Sequence, residues 1–171
     1  MVDYTRKYGP AAIGARLRRL SESIDEDAGR IYVHLGIDCQ QRWVGALEQL
    51  HDRGAQTVGE LAASLGIRHS SVSQTRRSLE EAGLVESQID PQDARSRLLR
   101  LSASGKDLVR RLQPLWKILN ATSRELDAEA EHVIAALDRL DRALQRMSLH
   151  DRVQQKLASQ KPRRPGSALR V

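Results

Sequence analysis

From Ile13 the apolar residues fall at Ile13, Leu17, Leu20, Ile24, Ala28, Ile31 and Leu35. Alternating steps of three and four predict one face of a long helix that ends at Gly36. The opposite side carries Arg16, Arg19, Glu22, Glu26 and Arg30. A stripe this narrow packs on its own domain or meets a second chain, and the pattern leaves both open. A second helix is expected over 39–52, with Asp38 as N-cap and Gln41 completing a capping box. It presents Trp43, Val44, Leu47 and Leu50, with Trp43 as a core anchor.

After the loop Gly54-Ala55-Gln56, Thr57 and Glu60 form a further capping box and open a short helix, Val58 to Leu65, facing inward through Leu61, Ala62 and Leu65. Gly66 stops it and Ile67 fills the turn. The next helix is predicted over 69–82, with Val72, Leu79 and Ala82 inward and Gly83 at its end. The period then changes to two. Val85, Ser87 and Ile89 alternate with Glu86 and Gln88, Asp90-Pro91-Gln92-Asp93 is turn chemistry, and Leu98, Leu99 and Leu101 mark a return strand.

Ser102 is expected to cap a helix over 103–125, with Pro114 kinking it. A break is expected between Asn120 and Asp127, with Asp127 capping a helix that continues to about 147 through Val133, Ile134, Leu137, Leu140 and Leu144. Ser148 opens a last short helix. The fold class expected is therefore mainly α with a small two-stranded β wing: a winged helix-turn-helix plus a helical dimerisation arm. The expected divisions are an N-terminal helix contributing to dimerisation (1–36), the winged helix-turn-helix (37–102), the C-terminal arm (103–159) and a basic disordered tail (160–171).

Composition narrows the class. Hydrophobic residues make up 40% of the chain, but aromatics only 3% with no Phe, so the core is built from aliphatic side chains and favours helices over a sandwich. The single Cys39 excludes an intramolecular disulfide and fits a reducing compartment. No apolar run reaches the roughly 20 residues that span a membrane. The first residues lack the apolar core of a signal peptide. A cytoplasmic protein is the expectation, and the Asn120 sequon reads as chance. The net charge of +6 misleads, because residues 152–171 hold six basic side chains and no acid, whereas residues 54–105 hold six of each. Nucleic-acid binding must then rest on where charges lie.

They lie favourably on the second helix of the pair. Its outer positions are His69, Ser70, Ser71, Ser73, Gln74, Arg76 and Arg77. Hydroxyls suit phosphate oxygens and either base type, Gln bridges adenine N6 and N7, and Arg bridges guanine O6 and N7 or clamps phosphate. The wing loop carries Asp93, Arg95 and Arg97. An Arg on such a loop suits a narrow minor groove, with Asp93 placed to hold its guanidinium.

This stretch resembles the MarR family of winged-helix regulators. The resemblance rests on G-E-L-A-x-x-L-G at Gly59–Gly66, S-S-V-S at Ser70–Ser73, L-E-x-x-G-L-V at Leu79–Val85, D-P-Q-D-A-R-S at Asp90–Ser96 and L-x-L-S-x-x-G at Leu99–Gly105. It extends over about residues 13–147. It implies a homodimer reading double-stranded operator DNA, repression of transcription, and release by a small-molecule effector. It maps the reading residues onto Ser70, Ser71, Ser73 and Gln74 and the wing arginine onto Arg95. Thr75 and Arg76 depart from the family's usual aliphatic residues, and Ser87 replaces a common basic one.

The five histidines fall in separate segments and Cys39 has no partner for zinc, so no metal, no cofactor and no enzyme activity are expected. Some chains of this kind carry an acyltransferase domain after the arm, for which no room is expected here. Two alternatives stand beside DNA reading. One is a winged-helix protein-interaction module without sequence-specific DNA binding, favoured by the neutral charge of 54–105. The other is a redox-sensing regulator using Cys39, whose rival reading is a small buried hydrophobe. The basic tail would add phosphate contacts or only solubility.

Overall fold

The structure, a computed structural model, describes residues 4–91, 93 and 96–160. The elements run α1 (Tyr4–Lys7), a 3-10 turn (Gly9–Ala12), α2 (Ile13–His34), α3 (Gln41–Arg53), β1 (Gln56–Thr57), α4 (Val58–Leu65), α5 (His69–Glu81), β2 (Val85–Ile89), β3 (Arg97–Leu101), α6 (Ala103–Glu129), α7 (Val133–Arg146) and α8 (Leu149–Gln160). The chain divides into two compact units at Pro114.

The first unit is built around Tyr32, Leu47, Leu61, Val72, Leu79, Leu99, Val109 and Leu112, all almost wholly buried. Helices α2, α3, α4 and α5 thus contribute to one core with strand β3, and the opening turns of α6 join them. The unit boundary falls inside the segment expected to be the arm because Leu108, Val109 and Leu112 are core residues. Pro114 lies within α6 without ending it.

The wing sheet has three antiparallel strands in the order β1-β3-β2, not two. Gln56 pairs with Leu99 and Thr57 with Leu98 on one side of β3, and Val85 pairs with Leu101 through to Ile89 with Arg97 on the other. A strand of two residues is too short to show alternation, so only its pairing reveals it.

Local chemistry fixes several boundaries. Thr57 Oγ1 accepts from Glu60 N at 3.1 Å and Glu60 Oε2 accepts from Thr57 N at 2.7 Å, a complete capping box. These bonds hold the Glu60 carboxyl below its ordinary value, the backbone bond from Thr57 contributing most. The box expected at Asp38 does not form. Helix α3 starts at Gln41 after an extended Gln40 with no side-chain cap, and the Gln41 side chain instead accepts the Tyr32 hydroxyl at 2.8 Å. The break expected from Asn120 falls later. Helix α6 runs to Glu129, and Glu131 and His132 then take positive φ values of 53° and 61°. Asp127 still caps the following helix, its Oδ1 accepting from Ile134 N at 2.9 Å.

In the second unit, α7 and α8 bury no residue. Ser148 Oγ accepts from Asp151 N at 3.1 Å and starts α8, while Arg152 donates to the carbonyls of Met147 and Ala143 at the end of α7. Beyond Gln160 the basic tail lies outside the described residues.

Candidate nucleic-acid interface

Helix α5 is held from behind by Val72, Thr75 and Leu79, which are buried at 1%, 8% and 0% exposure. Their spacing of three and four places Thr75 inward, where Ala82 was expected; Ala82 is exposed. The turn before α5 is set by Gly66 at φ 64°, with Ile67 N donating to Ala62 O at 3.1 Å. That left-handed step is why glycine stands there.

The opposite face of α5 is polar throughout. His69, Ser70, Ser71, Gln74 and Arg77 are exposed, and Ser73 is half-buried. Ser73 Oγ lies 3.5 Å from His69 Nδ1. Arg76 differs from its neighbours. Its Nη1 donates to both carboxylate oxygens of Glu80, at 2.9 and 2.7 Å, and the pair is largely covered by protein. Glu80, at the far end of the helix, closes on Arg76 because residues four apart on a helix are neighbours.

Sequence reasoning missed the far edge of α5. Ser78 Oγ accepts from Trp43 Nε1 at 3.0 Å and from Arg42 Nη2 at 2.9 Å. A lone hydroxyl next to the inward Leu79 was the only hint of this in the chain.

At the wing, Ser96 Oγ donates to Asp93 Oδ2 at 2.9 Å and Ser96 N to Asp93 O at 2.8 Å. Asp93 and Arg97 are exposed. Arg95, the residue expected in the minor groove, lies outside the described residues with Gln92 and Ala94. At the base of the wing, Arg100 donates to Glu86 across the strands at 2.8 Å.

Two cavities of the first unit border this region. One of about 200 Å³ lies between α4, α5 and β3 and is mainly polar, with His69, Ser73, Arg76 and Arg97 beside Val58. The other, of about 560 Å³, has Leu50 and Leu101 among its lining with His51, Arg100, Lys106 and Arg110.

Cys39 precedes α3 rather than sitting in its first turn, so no helix start activates it. Burial, and then the Asp38 charge, push its thiol up to about 11. Among the described residues no group of three or more His, Cys, Asp or Glu could hold a metal ion. No helix of the described residues is long and apolar enough to cross a membrane.

A helix-turn-helix pair followed by an antiparallel wing defines a winged-helix regulator of transcription. The MarR family model matches residues 44–96. An uncharacterized HTH-type transcriptional regulator of Mycobacterium leprae is 32% identical over 102 residues, covering 55% of this chain and 71% of that one. The chain belongs to the MarR family. The fold is also that of Staphylococcus aureus MepR in its DNA complex, with 21% identity over 84% of this chain and 100% of that chain and a TM-score of 0.63. Bordetella bronchiseptica BpsR, whose DNA binding is regulated by 6-hydroxynicotinic acid, is 21% identical over 75% of this chain and 98% of its own, with a TM-score of 0.58.

Proposed function

We propose that this regulator is a homodimeric, ligand-responsive repressor that reads a pseudo-palindromic DNA operator through α5. The observation that carries this reading is the division of α5 into a sealed apolar back and an exposed face of hydroxyl, amide and guanidinium groups. These are the groups that read base edges and hold phosphates. Base reading is assigned to Ser70, Ser71, Ser73 and Gln74, and backbone contact to His69, Arg76, Arg77 and Arg97. Asp93 and Arg95 are assigned to the wing tip, with Arg95 in the minor groove.

Dimerisation is supported by apolar stripes that a single chain leaves in water. On α2, Leu20 and Ile24 are 52% and 57% exposed, with Ile13 and Leu17 alongside. On α7, Val133, Ile134, Leu137 and Leu144 are exposed in the same way. Contiguous exposed apolar surface of this kind marks an association site. Paired recognition helices would stand about 34–36 Å apart, one turn of B-DNA. The cavity between α3, β3 and α6 suits an organic anion as effector, with apolar lining beneath three cationic side chains and His51. That BpsR responds to an aromatic carboxylic acid fits this choice.

Selection of bound duplexes from a random pool tests the reading. The expected result is an enriched inverted repeat, with Gln74→Ala changing preference at one base step per half-site. Retention of no sequence over background would favour a protein-interaction module, for which the even charge of 54–105 speaks.

A further inference from the structure

The small recess beside α5 is lined by His69, Ser73, Arg76, Ser96 and Arg97, closed by the first turn of α4 at Gly59. Among the described residues no carboxylate lines it. Of the acids nearby, Glu60 is turned onto Thr57 N and Oγ1, Asp93 accepts the Ser96 hydroxyl and Glu80 holds Arg76. Arg97 is exposed and makes no ion pair with any described residue. Two guanidinium groups and an imidazole therefore line one concave space, a set of N–H donors that suits a phosphodiester oxyanion.

Arg76 enters this set in an unusual way. Glu80 takes up Nη1 with both of its oxygens, and the Arg76 side chain is only 19% exposed. A guanidinium has five N–H groups, so those on Nε and Nη2 are left for another acceptor. Fixing the guanidinium from behind removes rotamer freedom that a free arginine loses on binding.

We propose that this recess seats one phosphate of the DNA backbone and that Glu80 is a positioning residue holding Arg76 toward it. The proposal rests on α5 being the DNA-reading helix. It reverses the sign that charge alone assigns to Glu80. An acid on a DNA-facing helix repels phosphate, so its removal should tighten binding; as a positioning residue, its removal weakens binding.

The test uses the full chain and an operator enriched by selection, with binding followed by fluorescence anisotropy across a salt series. Glu80→Ala, Arg76→Ala, their double variant and Arg97→Ala are compared, with circular dichroism confirming that each is folded. Each single variant is expected to bind about tenfold more weakly, as for loss of a charged hydrogen bond. The slope of log K against log salt should shrink by about 0.9 per half-site, one phosphate each. The double variant should bind no more weakly than Arg76→Ala alone, because Glu80 acts only through Arg76. Glu80→Ala binding as tightly as the parent or tighter overturns the proposal. So does an unchanged salt slope in Arg97→Ala, which stands as the test if Glu80→Ala does not fold. A parent protein that enriches no operator removes the DNA-reading assignment and the recess with it. A parent that binds its operator while the variants keep its slope removes the recess alone.

Discussion

The indole N–H of Trp43 donates to the hydroxyl of Ser78 at 3.0 Å, tying the core of α3 to the outer half of α5. Trp43 is 3% exposed, so no solvent is at hand to replace the bond. Ser78→Ala should leave a buried donor unpaired and cost about 1–3 kcal/mol. The urea midpoint reads this directly, and an unchanged midpoint would show that Trp43 finds another acceptor.

Gly105 faces the chain just after α5. A Cβ there would lie 2.0 Å from the Leu84 carbonyl oxygen, an atom of backbone that cannot swing away. Ser102 holds this approach, its N–H donating to Leu84 O at 3.0 Å and its Oγ accepting from Gly105 N at 3.0 Å. Gly105→Ala is expected to lower stability by about 1–3 kcal/mol, the cost of forced overpacking. Thermal melting at equal concentration checks it, with Gly59→Ala as a comparison where the nearest atom is 3.9 Å away.

These two contacts show what a chain of letters reveals and what it hides. The serine and glycine of the Ser102–Gly105 motif were visible as a pattern, and so was the cap at Thr57, because both act within four residues. The helices followed from steps of three and four, and α5 from its polar run. Ser78 was not visible, since its donors come from residues 42 and 43, far off in sequence. Asp38 misled because the Gln41 side chain is taken up by the Tyr32 hydroxyl, which lies nine residues back. The strand Gln56–Thr57 was hidden by its own brevity. Arg76 read as one more outward cation until its neighbour four residues on was seen to hold it.

Cys39 should react slowly. A thiol pushed from 9.0 up to about 11 has roughly 100-fold less thiolate near neutral pH. Alkylation by iodoacetamide should lag a free thiol by about that factor, and its rate should climb steadily past pH 9. The sign for stability follows. The folded state favours the protonated thiol, so this contribution is full below the unfolded value and lost as pH rises toward 11. A rate that levels off below pH 8 would restore the redox-sensor reading.

Ile24→Glu places a charge in the exposed stripe of α2, at a side chain more exposed than covered in the single chain. Sedimentation should show a dimer for the parent and a monomer for the variant, with near-parental helicity. Leu137→Glu on α7 should act in the same direction. A monomeric parent would make both stripes something other than a subunit contact.

Arg76 and Arg100 are both answered from within, by Glu80 and Glu86. Under the DNA-reading proposal, guanidinium groups pinned in this way are set before a duplex arrives. The face then judges a duplex by its geometry: phosphates in register meet fixed arginines, and phosphates out of register find no adaptable side chain to follow them.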